Sequence, residues 1–191
     1  MVRREQTNYA KARLFKGKAL LVFGPRQVGK TTFVQNSIAY LNKKTLFLNG
    51  DESDVLVLFE SPNVTKLKNI IGDNEILVID EAQRITNIGI VLKIIVDQIK
   101  SVQVIATGSS SFELANKLNE PLTGRKYEMF LYPIAFSEMV AHSGLLEEKR
   151  ALEQRLIYGN YPEIITNPID AKEHIKLIAN SYLYKDLFLL D

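Results

Sequence analysis

Eight residues, Gly24-Pro25-Arg26-Gln27-Val28-Gly29-Lys30-Thr31, set glycine, lysine and threonine at the spacing G-x-x-x-x-G-K-[ST]. That spacing suits the cradling of phosphate groups. Glycines let the main chain wrap closely around phosphate oxygens, in conformations that a side chain would block. The inward amides and the N-terminal end of the following helix then face the anion together. Lys30 would reach the β- and γ-phosphates of a nucleoside triphosphate, and Thr31, followed by Thr32, would offer its hydroxyl to Mg²⁺. By accident the pattern occurs in roughly one chain of this length in a hundred. Here an apolar run, Ala19–Phe23, precedes it and a helical pattern follows it.

Such a loop needs a partner to hold the metal. Ile76-Leu77-Val78-Ile79-Asp80-Glu81 places two acids at the end of an apolar strand. In a parallel sheet that end opens on the same edge as the phosphate loop. Asp80 is expected to orient Mg²⁺. Glu81 is expected to orient, or take a proton from, the water attacking the γ-phosphate. These residues together predict binding of a nucleoside triphosphate with Mg²⁺ and its hydrolysis, with Lys30 and Glu81 catalytic and Thr31 and Asp80 at the metal.

The elements that must position these groups are legible in outline. Short apolar runs at Ala19–Phe23, Thr45–Leu48, Glu75–Ile79 and Val102–Ala106 read as buried strands, and Tyr127–Leu131 as a fifth. Helical patterns cover Arg3–Phe15, Gly29–Leu41, most of Val55–Ile71, Ile88–Ile99 and Ser110–Leu118. From Ala135 onward the pattern is helical, broken at Gly144, Gly159–Pro162 and Pro168. Strands apolar on both faces, alternating with helices, predict an α/β fold with a parallel sheet covered on both sides. The expected organisation is a phosphate-loop core over residues 1–134 and a helical lid or linker over 135–191.

Asp80-Glu81 at the end of an apolar strand resembles the P-loop ATPases that insert an additional strand between the loop strand and the acidic strand. In those families the tip of the inserted strand carries a polar sensor. Val102–Ala106 fits that strand, with Thr107 or Ser109 as the sensor; sequence does not choose between them, and a serine here can equally cap a helix. The ordered segments GPRQVGKTT, LVIDEAQRI, TGSSSFEL, LTGRKYEMFLYPIAFSEM, YGNYPEII and SYLYKDL resemble the archaeal and bacterial AAA-domain ATPases that usually carry a second C-terminal domain. The resemblance implies a three-layer P-loop core with sheet order 5-1-4-3-2 and a short helical region after it.

The same resemblance singles out Arg125 as a candidate γ-phosphate sensor or cis-acting arginine, against its plainer reading as a surface arginine before a strand. Arg26 fits the family's loop, either contacting a phosphate or an acid or standing in solvent. Glu138 and the Tyr161-Pro162 turn match family positions as structural or lid elements. Adenine as the base follows from the resemblance; no Asn-Lys-x-Asp guanine-reading segment is present. Members usually continue beyond the equivalent of Asp191, so a further domain is expected, and the apolar run Leu187–Leu190 agrees with that.

Composition narrows the alternatives. The chain of 191 residues has no cysteine, which excludes disulfide and thiolate chemistry, and His142 and His174 do not sit at metal-ligand spacing. A charged start without an apolar leader core, and no run long enough to span a bilayer, set the expectation of a soluble cytoplasmic protein without membrane contact. A net charge of +2 without a basic, aromatic-interleaved stripe gives nucleic acid no support as a partner. A kinase-like transferase would want an arginine-rich lid, and the region after Ser109 offers only Arg125, Arg150 and Arg155. A nucleotide-dependent switch with slow hydrolysis shares every motif with the ATPase reading. The helical region is the expected contact surface for a protein partner or a second copy.

Overall fold

The computed structural model describes residues 2–108 and 121–188, with side-chain surroundings through residue 180. Ser109 and the helix expected over 110–118 lie outside the described residues. Two compact units result. One joins Gln6–Pro25 with Lys30–Leu131; the other joins Arg26–Gly29 with the residues before Gln6 and after Leu131.

The first unit is built on strands β1 (Ala19–Phe23), β2 (Thr45–Asn49), β3 (Ile76–Asp80), β4 (Gln103–Gly108) and β5 (Lys126–Phe130). They form one sheet in the order β2-β3-β4-β1-β5, every pair parallel. Read from the other edge, this is the order 5-1-4-3-2. The central strands β1, β3 and β4 are buried almost throughout, as strands with two apolar faces must be. The edge strands β2 and β5 carry exposed Phe47 and Phe130 instead.

Leu21, Phe23, Leu77, Ile79, Val104 and Ala106 form one core with residues of α3 (Ser53–Leu58), α4 (Val64–Ile71) and α5 (Ile88–Gln98). The alternate side chains of β1, Leu20 and Val22, are buried on the opposite face. Burial of a Leu or Ile side chain contributes about 1.5–3 kcal/mol, so this two-sided core is what holds the strand ends level. Phe23 pairs with Gly108, Ile79 with Ala106 and Asn49 with Asp80. The ends of β1 to β4 therefore open on one edge.

Three helices differ from their sequence patterns. The first, α1, covers only Thr7–Lys11 and has no side-chain cap. Its flanks serve the open edge of β5 instead: Gln6 Nε2 donates to the Phe130 carbonyl at 2.5 Å and the Tyr9 hydroxyl to the Glu128 carbonyl at 3.2 Å. The stretch 55–71 is two helices, because Ser61 is left-handed (φ 46°) and Pro62 follows it. Asn63 then restarts the chain as a cap, accepting from Lys66 N at 2.9 Å. The helix after the phosphate loop, α2, runs Lys30–Ile38 and closes with a tighter turn to Leu41.

The second unit holds α6 (Phe136–Ser143), α7 (Leu145–Arg150), α8 (Leu152–Tyr158), α9 (Pro162–Thr166) and α10 (Ala171–Phe188). Gly144 (φ 93°) and Gly159 (φ 76°) take left-handed conformations at its breaks. Buried Glu138 accepts from Ala135 N at the start of α6, from Glu5 N, and from Arg4 Nε at 3.1 Å. Buried Glu148 accepts from Arg155 and from the Ser143 hydroxyl, and Arg155 first, then Ser143, hold its carboxyl below the usual glutamate range. Among the described residues, no helix is long and apolar enough to cross a membrane.

Candidate active site

The loop begins where β1 ends. Gly24 and Pro25 leave the strand, and Lys30 and Thr31 open α2, whose first turn carries no acid to offset its positive end. Lys30 is buried, and its ammonium donates to the Gly24 carbonyl at 3.0 Å and the Pro25 carbonyl at 2.9 Å. The charge is thus folded across the mouth of the loop. At the apex Gln27 (φ 61°) and Gly29 (φ 87°) are both left-handed, a backbone of the kind from which anion-binding concavities are built.

The apex itself is held within the second unit. Arg4 Nη1 donates to the Val28 carbonyl at 3.4 Å, Val28 is fully buried, and a Cβ on Gly29 would lie 3.6 Å from Pro162 Cγ. Arg26 is partly buried there, whereas Gln27 is exposed. Thr32 is exposed on α2.

The acids stand at the end of β3. Asp80 Oδ2 accepts from the Thr31 hydroxyl at 2.5 Å. Its other oxygen, Oδ1, accepts from the hydroxyl of Thr107, which the β3–β4 register brings alongside. Thr107 is fully buried, and its oxygen also accepts from Glu81 N at 3.3 Å. Of the two candidate sensors, Thr107 therefore has its hydroxyl engaged by Asp80 and the Glu81 amide.

Glu81 is left-handed (φ 47°), and its carboxylate accepts from Gln83 Nε2 at 2.5 Å. Thr31 and Asp80 converge as two hard oxygen donors. Among the described residues, no group of three or more His, Cys, Asp or Glu is placed to hold a metal ion. A small oxygen set of this kind fits Mg²⁺, which takes one or two protein ligands and completes its shell with phosphate oxygens and water.

Arg125 is placed elsewhere, which corrects its expected cis-acting role. It immediately precedes β5, and its carbonyl accepts from Ala19 N at the start of β1. The phosphate loop leaves β1 at the other end, a strand of five residues, or roughly 17 Å, away. Its guanidinium pairs with Asp97 of α5 at 2.7 Å, which raises its already high pKa. A residue before a parallel strand belongs to the edge opposite the site.

Two residues join the site that the sequence did not single out. Gly50, the middle residue of Asn49-Gly50-Asp51 after β2, donates its N–H to the Asp80 carbonyl at 2.8 Å. Gln83 stands within the segment LVIDEAQRI, but no role was assigned to it there.

Comparison with known proteins agrees with the fold. A Walker-type ATPase of Pyrococcus abyssi superposes with a TM-score of 0.68 over 100% of this chain and 75% of its own, at 16% identity, a likeness of fold. An uncharacterized protein of Methanocaldococcus jannaschii is 24% identical over 92% of this chain. The chain spans 43% of that relative's length. A family model described as AAA domain matches residues 16–140. The chain belongs to the AAA-domain family of P-loop proteins.

Proposed function

We propose that this domain binds ATP with Mg²⁺ on Gly24–Thr31 and hydrolyses it. The observation that carries the reading is the meeting of Thr31, Asp80 and Thr107 at the end of the loop that carries buried Lys30. The loop amides and the N-terminus of α2 hold the phosphates. Lys30 exchanges its two carbonyl partners for phosphate oxygens, a stronger, charge-assisted pairing. Thr31 and Asp80 hold Mg²⁺, which when bound neutralises charge on the β- and γ-phosphates. Glu81 orients the attacking water and accepts its proton. Thr107 acts through Asp80, fixing the direction of that carboxylate. The helical stretch from residue 135 serves as the lid or linker of the core.

The test is phosphate release from Mg-ATP by the parent and by Glu81→Gln, with ATP and GTP affinities measured by calorimetry. The variant should keep ATP binding and lose most turnover; parental turnover would refute the assignment. One observation favours a slow, switch-like version of the same chemistry. The loop apex is held by Arg4 through the Val28 carbonyl, so a change at the apex on nucleotide binding would be felt at this contact. A steady-state rate well above about one per minute would count against that version.

A further inference from the structure

Glu81 adopts a conformation that its side chain does not favour. A left-handed non-glycine residue costs roughly 1–2 kcal/mol, and glutamate lacks the local hydrogen bond that excuses asparagine or aspartate. Something must hold it there. The tip of β2 supplies one support. Gly50 N donates to the Asp80 carbonyl at 2.8 Å, which draws the backbone of the two turns together. They approach so closely that a Cβ on Gly50 would stand 2.6 Å from the Glu81 carbonyl oxygen and 3.2 Å from the Asp80 carbonyl oxygen. Both obstacles are main-chain atoms, so neither can swing aside as a side chain would. Gly50 is needed here for space.

The second support is buried Gln83, in the helical turn Ala82–Arg84 that follows Glu81. Its Nε2 donates to Glu81 Oε2 at 2.5 Å, fixing the carboxylate as Gly50 fixes the backbone beneath it. Outside the pair, Arg84 Nε reaches back to Asp51 Oδ1 at 2.9 Å and ties the same two turns together again. Neither Gly50 nor Gln83 lies in the phosphate loop or among the Mg²⁺ donors.

We infer that Gly50 and Gln83 are positioning residues for Glu81, together holding its carboxylate in the direction needed to orient the attacking water. The inference rests on the reading of Glu81 as the water-orienting base. In Gly50→Ala the Glu81 carbonyl must retreat by about 0.8 Å to reach an ordinary 3.4 Å contact, and misplacement of about 1 Å at a reacting group costs on the order of a hundredfold in rate. In Gln83→Leu the carboxylate loses its donor while the buried volume is nearly kept.

The experiment measures kcat for Mg-ATP hydrolysis and the calorimetric Kd for ATP in Gly50→Ala, Gln83→Leu, Glu81→Gln and the two double variants that contain Glu81→Gln. Each brace variant should lose about tenfold or more in kcat with Kd within about twofold of the parent. In the Glu81→Gln background neither should lower the residual rate further, since each acts only through that carboxylate. A merely structural role would lower binding and rate together and would multiply with Glu81→Gln. Unchanged or raised kcat in folded Gln83→Leu overturns the inference, as do losses that multiply in the double variants. Parental turnover in Glu81→Gln alone removes the base assignment, and this inference with it, and that arm identifies which reading failed. If circular dichroism shows Gly50→Ala unfolded, Gln83→Leu carries the test.

Discussion

Thr107→Val removes one hydroxyl from the middle of the site and nothing else of consequence. The residue is fully buried on β4, its Oγ1 donates to Asp80 Oδ1 and accepts from Glu81 N, and valine fills the same space. A hydrogen bond to a charged group contributes about 1.5–3 kcal/mol. Asp80 Oδ1 keeps only the longer bond from Glu81 N at 3.2 Å, so the loss should be about 2 kcal/mol. For a chain of this length that lowers Tm by about 4–8 °C. Asp80 also becomes freer to rotate, held only by Thr31 on its other oxygen. Losing an outer partner of a metal ligand typically costs about 10- to 100-fold in metal affinity. The assay is thermal melting by circular dichroism, with the Mg²⁺ concentration for half-maximal ATP turnover as the second readout. Thr107→Ser is the control: it gives up a methyl, worth about 1 kcal/mol, but keeps the hydroxyl and should keep the parental Mg²⁺ requirement. Equal Mg²⁺ requirements in the Val and Ser variants would refute the argument. A fall in kcat at saturating Mg²⁺ with no change in Mg²⁺ requirement would return Thr107 to a direct sensor role.

Two further outcomes are expected. Glu148 is held below the usual glutamate range first by Arg155 and then by Ser143, so its stabilising contribution is complete above its unfolded-state pKa and is lost as the pH falls through the lower folded value. An acid titration followed by circular dichroism should show the parent losing stability in that window, and Glu148→Gln should remove this pH-dependent component; an unaltered profile would count against the pairing. Arg125→Ala should leave turnover within about twofold of the parent, because the exposed pair with Asp97 sits on the sheet edge away from the loop. A loss of tenfold or more in kcat would show that the guanidinium reaches reacting phosphate after all.

What the sequence revealed, and what it hid, divides along the difference between local and non-local constraint. Gly24–Thr31 and Asp80-Glu81 were legible because phosphate and metal binding fix residue types at fixed spacing, and an apolar strand just before each is visible in the same window. The strands were legible because burial of both faces leaves an unbroken apolar run, as in Ile76–Ile79. The helix breaks at Ser61-Pro62 and beside β5 were not read. One follows from a left-handed serine before the proline, and the other from β5 carbonyls far along the chain. Arg125 was left open between a phosphate sensor and a surface arginine although a clue to the second was available, since a residue that precedes a parallel strand lies on the edge opposite a loop that follows one. Gly50 and Gln83 offered no such clue. Their importance follows from the left-handed turn at Glu81, which no local rule assigns to glutamate, and from the β2–β3 register that sets Asn49 beside Asp80 and brings Gly50 within reach of the Glu81 carbonyl. The chemistry of the acidic pair is therefore written in residue types, while the direction of Glu81 is written in the contacts of the turns that follow β2 and β3. Substitutions that alter that direction and leave every motif intact should be as damaging to turnover as loss of the motif residue itself.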